Sequence, residues 1–492
     1  MSWAEAKWTV DSLLQKLGQA PNNMRAFSGY GTAEGTIYLC FLEPADSYDL
    51  IGNLICAVGG VMIRMSDTDY PASPYDGTLV IDNTQLGKYE NAEFTITGLD
   101  TDKTYYFSAF PYSTQGVYNL SSDDANRFIC SSLTAVVYGI SRDITNSSPA
   151  WTRTDSAIGM TATASIGTTA GSSDFDSCYP WSNMTRRVYN SWDTMVKIPK
   201  FYYRHTRSDS TEYIKITGEY VEGFTLHPAF NHAGVETDWI LVGAYKTSTV
   251  NDSPCSKNNE APQMNQTRTT MRTNAKSKGT GWGLIDISTL SAIQMLILVE
   301  FANNDVQSVI GRGYCQNSQA MMANIDKPIN TGSCDSVSNR TGRPAGTDGL
   351  VDVVWRGIEG FWGNLYEFVD GINYNCTNRT YYVCNNPANY ADDTTANYTP
   401  LSYTSPDGGY IKAEGFDPDN SYVILPETVG GSESTYDCDQ YHRYNTTGWS
   451  VLKRGGFAGS SSAAGLFTIT TIENSTSVMD VSAGSRLLYI PS

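Results

Sequence analysis

The side chains able to do chemistry are few and widely spaced. Four histidines, His205, His227, His232 and His442, include no HExxH pair of the kind that grips a metal from one helix face. His227 precedes Pro228 in an aromatic and apolar stretch and reads as a hydrogen-bonded packing residue rather than a base. Ten cysteines are scattered along the chain, and the closest pair, Cys376 and Cys384, is not at zinc-ligand CxxC spacing. They read as mostly reduced, buried thiols, with a Cys376–Cys384 bridge if the protein matures in an oxidising setting. Asp417 and Asp419 in GFDPDNS read as a solvated turn. There is no GxSxG elbow and no P-loop, and GYGTAEG at 29–35 is one residue too long for a dinucleotide fingerprint. The expectation is a protein with no metal, no cofactor and no catalytic residues, hence no enzyme. One enzymatic route stays open, because a glycosidase needs only two carboxyl groups about 5–9.5 Å apart in space, a distance the sequence does not display.

One segment has the chemistry of binding. Neutral sugars stack their C–H faces on aromatic rings and take hydrogen bonds from flanking polar groups. The stretch TYDCDQYHRYNTTGW, 435–449, offers Tyr436, Tyr441, His442, Tyr444 and Trp449 beside Asp439 and Asn445. These seven residues form the candidate binding surface, with an ordinary Tyr-rich loop as the other reading.

Composition limits the partners. Lys and Arg total 33 against 51 Asp and Glu, a formal net charge of -18, which repels phosphate backbones and anionic lipid. Nucleic acid is excluded on that ground, and uncharged glycans suit the chain better. The longest apolar stretch, Leu290 to Phe301, includes Gln294 and Glu300 and is too short to cross a bilayer, so no membrane insertion is expected. The N-terminus MSWAEAKWTVDSLLQKLG has acidic residues where a signal peptide would be apolar. With 32 Tyr, 43 Gly and only 17% charged residues, the chain has a strand-and-loop composition. The tyrosines suit both half-buried pleated surfaces and binding loops.

The elements that must position such a surface follow from periodicity. Residues 3–17 predict a helix, with Trp3, Val10 and Leu17 seven apart, Ala6 and Leu13 between them, and Gly18 as the stop. Two heptads are marginal alone, so this helix should dock on a partner, on sister copies or on its own domain. From 24 to 132, alternating runs such as GTIYLCFLEP, GGVMIRMS, GTLVIDN and KTYYFSAFPYS predict a small antiparallel β-sandwich. Residues 133–190, rich in Ser, Thr, Asn and Gly and then aromatic in DFDSCYPWSNM, read as an extended connector that ends by packing onto the next domain. A large domain fills 191–492, and its clearest helix is ISTLSAIQMLILVEFA, with Ser288 as a candidate N-cap and an apolar surface nearly all round that must be buried between layers.

Two resemblances refine this outline. Leu99, followed six residues on by Tyr105 and then Phe107 and Ala109, resembles the fibronectin type III pattern around its tyrosine corner. Farther on, GFWGNLYEFVDG (360–371), KRGGFAG (453–459) and GSRLLYIP (484–491) resemble the GNVWEW, RGGSW and GFR elements of the domain shared by formylglycine-generating enzymes and phage C-type-lectin-like proteins. The matching residues are Gly363 to Phe368, Arg454 to Gly456, and Gly484 with Arg486. These read as framework, with Glu367 and Arg486 as a candidate buried ion pair between strands. KIPKFYYR, EGFTLHPAF, ILVGAYK and VIGRGY resemble large lectin-like tail proteins of phages of gut bacteria.

The resemblance implies a mainly β fold with some α: an N-terminal helix (1–23), a fibronectin-III-like sandwich (24–132), the connector and a C-type-lectin-like α+β domain. It also implies a virion structural protein, a tail-fibre or receptor-binding subunit assembled in the host cytoplasm. Such a subunit would attach to other virion proteins through its N-terminal helix, form a homotrimer and recognise a host cell-surface glycan or protein. A head-decoration or collar fibre and a capsule-depolymerising glycosidase are the alternatives. The enzymatic branch of the fold binds copper with a reactive cysteine pair near its C-terminal end, and here 454–492 contains no cysteine, so that activity is not carried over. Calcium lectins similar to this fold show EPN or QPD with WND, and none of these strings occurs. In phages that diversify such domains at adenines, Asn codons drift to Tyr, Asp, His and Ser, and the segment 436–445 is crowded with those residues.

Overall fold

The computed structural model describes all residues except 1–17, 33–34, 50, 91, 101–102, 132–135, 191, 318–327, 444–446, 472–478 and 492. Strand takes 39% of the chain and helix 12%, so the protein is mainly β with few helices. The expected helix over 3–17 lies outside the described residues. The chain divides into two compact units, the first built on residues up to 137 with 206–209 and 219–224, the second on 138–205, 210–218 and 225–492.

The first unit packs a three-stranded against a four-stranded antiparallel sheet. Ala26–Thr32, Thr36–Leu42 and Phe94–Ile96 form one, and Thr78–Asn83, Val58–Ser66, Thr104–Ser113 and Arg127–Ser131 form the other, in those orders. The period of two in the sequence becomes the core: Ile37, Leu39 and Phe41 meet Val61, Ile63 and Met65, and Tyr105, Phe107 and Ala109 fill the space beside them. The Tyr105 hydroxyl accepts a hydrogen bond from the Asp100 N–H at 3.0 Å, tying the strand to the turn before it. The sandwich starts earlier than residue 24. Asn119 Nδ2 donates to the Pro21 carbonyl at 2.9 Å and to Asn23 Oδ1 at 3.0 Å, so these residues of the expected attachment segment belong to the sandwich.

In the second unit the expected connector packs by its aromatic end, as its sequence implies, but its earlier part is a paired strand and not an extended chain. Tyr138 to Ser141 pairs with Thr152–Asp155, and Trp151, Phe175 and Trp181 lie in the main hydrophobic cluster. The Ser/Thr/Gly composition suggested an extended chain, but a few large aromatic side chains bury enough apolar area to hold it down. The helix Ile287–Phe301 sits at the centre with all its side chains buried. Its N-cap is Asp286, whose carboxylate accepts from the Thr289 N–H at 2.8 Å, rather than Ser288, and Ala302 at φ +50° ends it.

A seven-stranded sheet gathers the three sequence motifs. Tyr366–Phe368 lies between Lys453–Arg454 and Ala483–Gly484, which sets Glu367 opposite both Arg454 and Gly484. Gly455 and Gly456 both have positive φ, and a Cβ there would stand 2.9 Å from the Phe361 carbonyl oxygen and 2.6 Å from the Ala464 Cβ, so only glycine fits. A five-stranded sheet runs Thr185–Asn190, Asp193–Pro199, Trp239–Gly243, Leu487–Tyr489, Trp282–Leu284. It brings two distant tryptophan-bearing segments into one layer. All ten cysteines are free thiols. The hairpin register pairs Asn375 with Thr380 near the turn and Ile372 with Val383 at the far end, which separates Cys376 from Cys384 and leaves no bridge between them.

Candidate functional site: a tryptophan-walled pocket

The predicted binding segment 436–449 is mostly a strut. Tyr441 is 0% exposed in the strand Gln440–His442, hydrogen-bonded to neighbours on both sides, and its hydroxyl lies 3.1 Å from Thr471 Oγ1. Asp439 is buried too, and its Oδ2 accepts from the Phe467 N–H at 2.7 Å. Burial pushes its carboxyl well above the usual range despite that contact. Tyr436 and Cys438 take left-handed φ values of +60° and +62° on either side of Asp437, whose carboxylate is buried against Arg142 at 2.8 Å. His442 is half-buried, and burial lowers its pKa. Trp449 is half-buried and packs on Tyr382 with ring centroids 5.7 Å apart. Tyr444 and Asn445 lie outside the described residues. The expectation of a displayed aromatic face is therefore corrected for Tyr441 and Asp439. Tyr441 lies in a strand paired on both sides, with Asp439 just before it, and one face of such a strand is core.

The densest cluster of charge is also framework. Glu367 receives Arg486 Nη2 at 2.6 Å, Arg454 Nη2 at 2.6 Å and Lys246 Nζ at 2.9 Å, all buried. Burial alone would raise the Glu367 carboxyl, but the three cations outweigh it and hold it well below the ordinary range. Burial also brings Lys246 down to about 8, with Glu367 opposing the shift. Nearby, Glu359 accepts N–H groups of Gly332 at 2.7 Å and Cys334 at 2.8 Å, and burial followed by the Asp352 carboxylate raises it to about 8. Each of these groups is at most 4% exposed, so a substrate has no route to them. Among the described residues no cluster of three or more His, Cys, Asp or Glu could hold a metal ion.

A site open to ligand lies elsewhere in the second unit. A pocket of about 300 Å³ is walled by Trp192 and Trp282 and lined by Asp193, Asn251, Ser253 and Lys278. Trp192 sits at the turn between Thr185–Asn190 and Asp193–Pro199, and Trp282 opens the edge strand Trp282–Leu284. The third wall is the two-stranded ribbon Ser248–Val250 and Ser253–Cys255, turned by Asn251 and Asp252 at φ +50° and +63°. Lys278 follows the helix Arg268–Lys276, and two contacts fix its ammonium group: Asp193 Oδ2 at 2.9 Å and the Pro254 carbonyl at 2.8 Å. It lies 4.7 Å from the Trp282 ring centroid, a cation–π contact. Asp193 is 0% exposed and its Oδ1 accepts from the Ser256 N–H at 3.1 Å, so it lines the base of the pocket and positions Lys278. Trp192, by contrast, is 43% exposed.

The pocket therefore presents indole surface, an ammonium group held in one orientation, and the small polar side chains of Asn251 and Ser253. The chemistry this set offers is stacking and hydrogen bonding. Sequence reasoning missed it because its two tryptophans are far apart in the chain. The signal was there in the flanks: Trp192 stands between Ser191 and Asp193, and Trp282 between Gly281 and Gly283, where apolar packing partners are lacking.

The fold and this pocket define a mainly β, two-unit protein with an aromatic-walled pocket. No protein-family model matches the chain, and no curated protein matches it.

Proposed function

We propose that the chain is a virion structural protein, a tail-fibre or receptor-binding subunit, that recognises a host-surface glycan through the Trp192–Trp282 pocket. The observation that carries this reading is the pairing of a 43% exposed indole with an ammonium group fixed by a fully buried carboxylate. Pyranose rings stack on such a face while their hydroxyls meet an oriented donor. The first unit is a fibronectin-III-like spacer in this reading, supported by its three- and four-stranded sheets and the Tyr105 hydroxyl on the Asp100 amide. The second unit is a C-type-lectin-like head, supported by the adjacency of the three motif strands around Glu367. A homotrimer would present several weak pockets to one cell surface and gain avidity.

Two measurements test the proposal. Antibody against the chain should label intact phage particles at the tail; absence from particles overturns the virion assignment. The full-length chain should bind an array of bacterial surface polysaccharides, and Trp192→Ala should lose that binding while melting within a few degrees of the parent. Undiminished binding by the folded variant moves the site away from this pocket.

A further inference from the structure

A second cavity in the same unit has different chemistry. It is a groove of about 540 Å³ whose lining contains six asparagines, Asn231, Asn385, Asn386, Asn389, Asn397 and Asn420, and no charged side chain. In a chain with a net charge of -18, an uncharged groove of that size selects against ionic recognition.

The groove is built on three short 3-10 turns, each held by its own cap. His227 caps Pro228–Phe230 through Nδ1, which accepts from the Ala229 N–H at 3.2 Å. Burial lowers the His227 pKa to about 3, so the ring is neutral and stays an acceptor. Asn386 caps Pro387–Asn389 through Oδ1, and Asp417 caps Pro418–Asn420. Asn385 locks two of the turns together: its Nδ2 donates to the carbonyls of Pro228 at 3.2 Å and Asn231 at 2.6 Å, and its Oδ1 accepts from Ser288 at 2.9 Å. These contacts make the groove rigid before a ligand arrives.

What remains is a set of uncommitted amides. Asn231 and Asn386 commit their Oδ1 to the Gly234 and Ala388 N–H groups, and their Nδ2 groups have no partner among the described residues. The side chains of Asn389, Asn397 and Asn420 make no hydrogen bond among the described residues. Beneath them the floor is apolar, formed by buried Val383 and Tyr422, with half-buried Leu226 as a wall. Amides donate and accept in turn, as sugar hydroxyls do, and an apolar floor suits the C–H face of a pyranose.

We infer that this groove is a binding site for an uncharged oligosaccharide, separate from the tryptophan pocket and independent of the reading given to that pocket. Calorimetric titration of the full-length chain with tetra-N-acetylchitotetraose, maltotetraose and mannotetraose tests it. At least one should bind, and Asn389→Ala with Asn397→Ala should weaken it by about ten-fold, equivalent to about 1.4 kcal/mol. The isosteric pair Asn389→Asp and Asn397→Asp should act in the same direction by removing the donors. Trp192→Ala should leave this binding unchanged, and raising salt from about 0.05 M to about 0.5 M should not weaken it, because no ion pair is involved. The inference is overturned if none of the three sugars binds, or if the bound sugar is insensitive to both asparagine pairs. Binding lost only with Trp192→Ala would leave the tryptophan pocket standing and remove this one.

Discussion

Glu367 and Arg486 are 119 residues apart in sequence and meet at 2.6 Å, fully enclosed. Arg486 Nη1 also donates to the Gly243 carbonyl at 2.8 Å and Nη2 to the Glu359 carbonyl at 2.7 Å, so one guanidinium joins three segments of the second unit. Removing one partner of such a pair strands the other in low dielectric. Glu367→Gln leaves Arg454, Arg486 and Lys246 facing one another and should cost about 3–5 kcal/mol. Guanidinium unfolding followed by tryptophan fluorescence would measure it, and a loss within the error of the parent would show that the cluster is solvated after all.

Losing Tyr441 should cost more than losing Trp192. Tyr441→Ala opens a cavity beneath a central strand and should destabilise by about 3–5 kcal/mol, whereas Tyr441→Phe keeps the ring and loses only the hydroxyl's hydrogen bonds, to Thr471 and its buried neighbours, about 1–2 kcal/mol. Trp192→Ala should cost only about 1–2 kcal/mol, because the side chain is 43% exposed and gives up the rest of its area and the Lys257 cation–π contact. Thermal melts of the three variants decide the matter, and an unaffected Tyr441→Ala would return that residue to the surface.

Glu359 should make stability depend on pH in a stated direction. Its carboxyl is raised from 4.5 to about 8, so between those values the folded chain keeps a proton that the unfolded chain has released. The stabilisation is complete below 4.5 and is lost as pH rises through about 8. Asp352 adds the same trend up to about 6. Glu359→Gln keeps the neutral form at every pH, so its melting temperature should fall less than the parent's between about pH 6.5 and 8. Parallel curves would show that Glu359 is ionised in the folded protein.

Thiol chemistry offers a quick check of the core. Nine of the ten cysteines are buried and Cys178 is half-buried. Burial raises the thiols of Cys130, Cys315, Cys334 and Cys438 further. A thiol-reactive dye should label the native chain at no more than Cys178 and the denatured chain at all ten. A reducing agent should leave the melting temperature unchanged. Rapid native labelling of several sites would contradict the packing described here.

The sequence by itself determined what local rules control. Period-two runs became the sandwich core of the first unit, because alternate strand side chains must fall on one face. The apolar run 287–301 became a fully buried helix because no face of it suits water. Gly455 and Gly456 fit because their backbone conformation and close neighbours exclude a side chain. Glu367 and Arg486 could be named as partners from two short motifs.

Which aromatic residues face solvent was decided only by the tertiary structure. Tyr441 and Trp192 are both aromatic residues with polar chain neighbours, yet strand pairing on both sides encloses one, and a hairpin turn leaves the other exposed. The same holds for Trp151, set in a stretch that reads as extended connector and built into the core. Burial is a property of what packs on a residue from elsewhere in the chain, and those neighbours lie tens to hundreds of residues away. The pocket of Trp192 and Trp282 and the groove of asparagines arise in the same way, from segments that meet only once the sheets and turns have closed around the central helix.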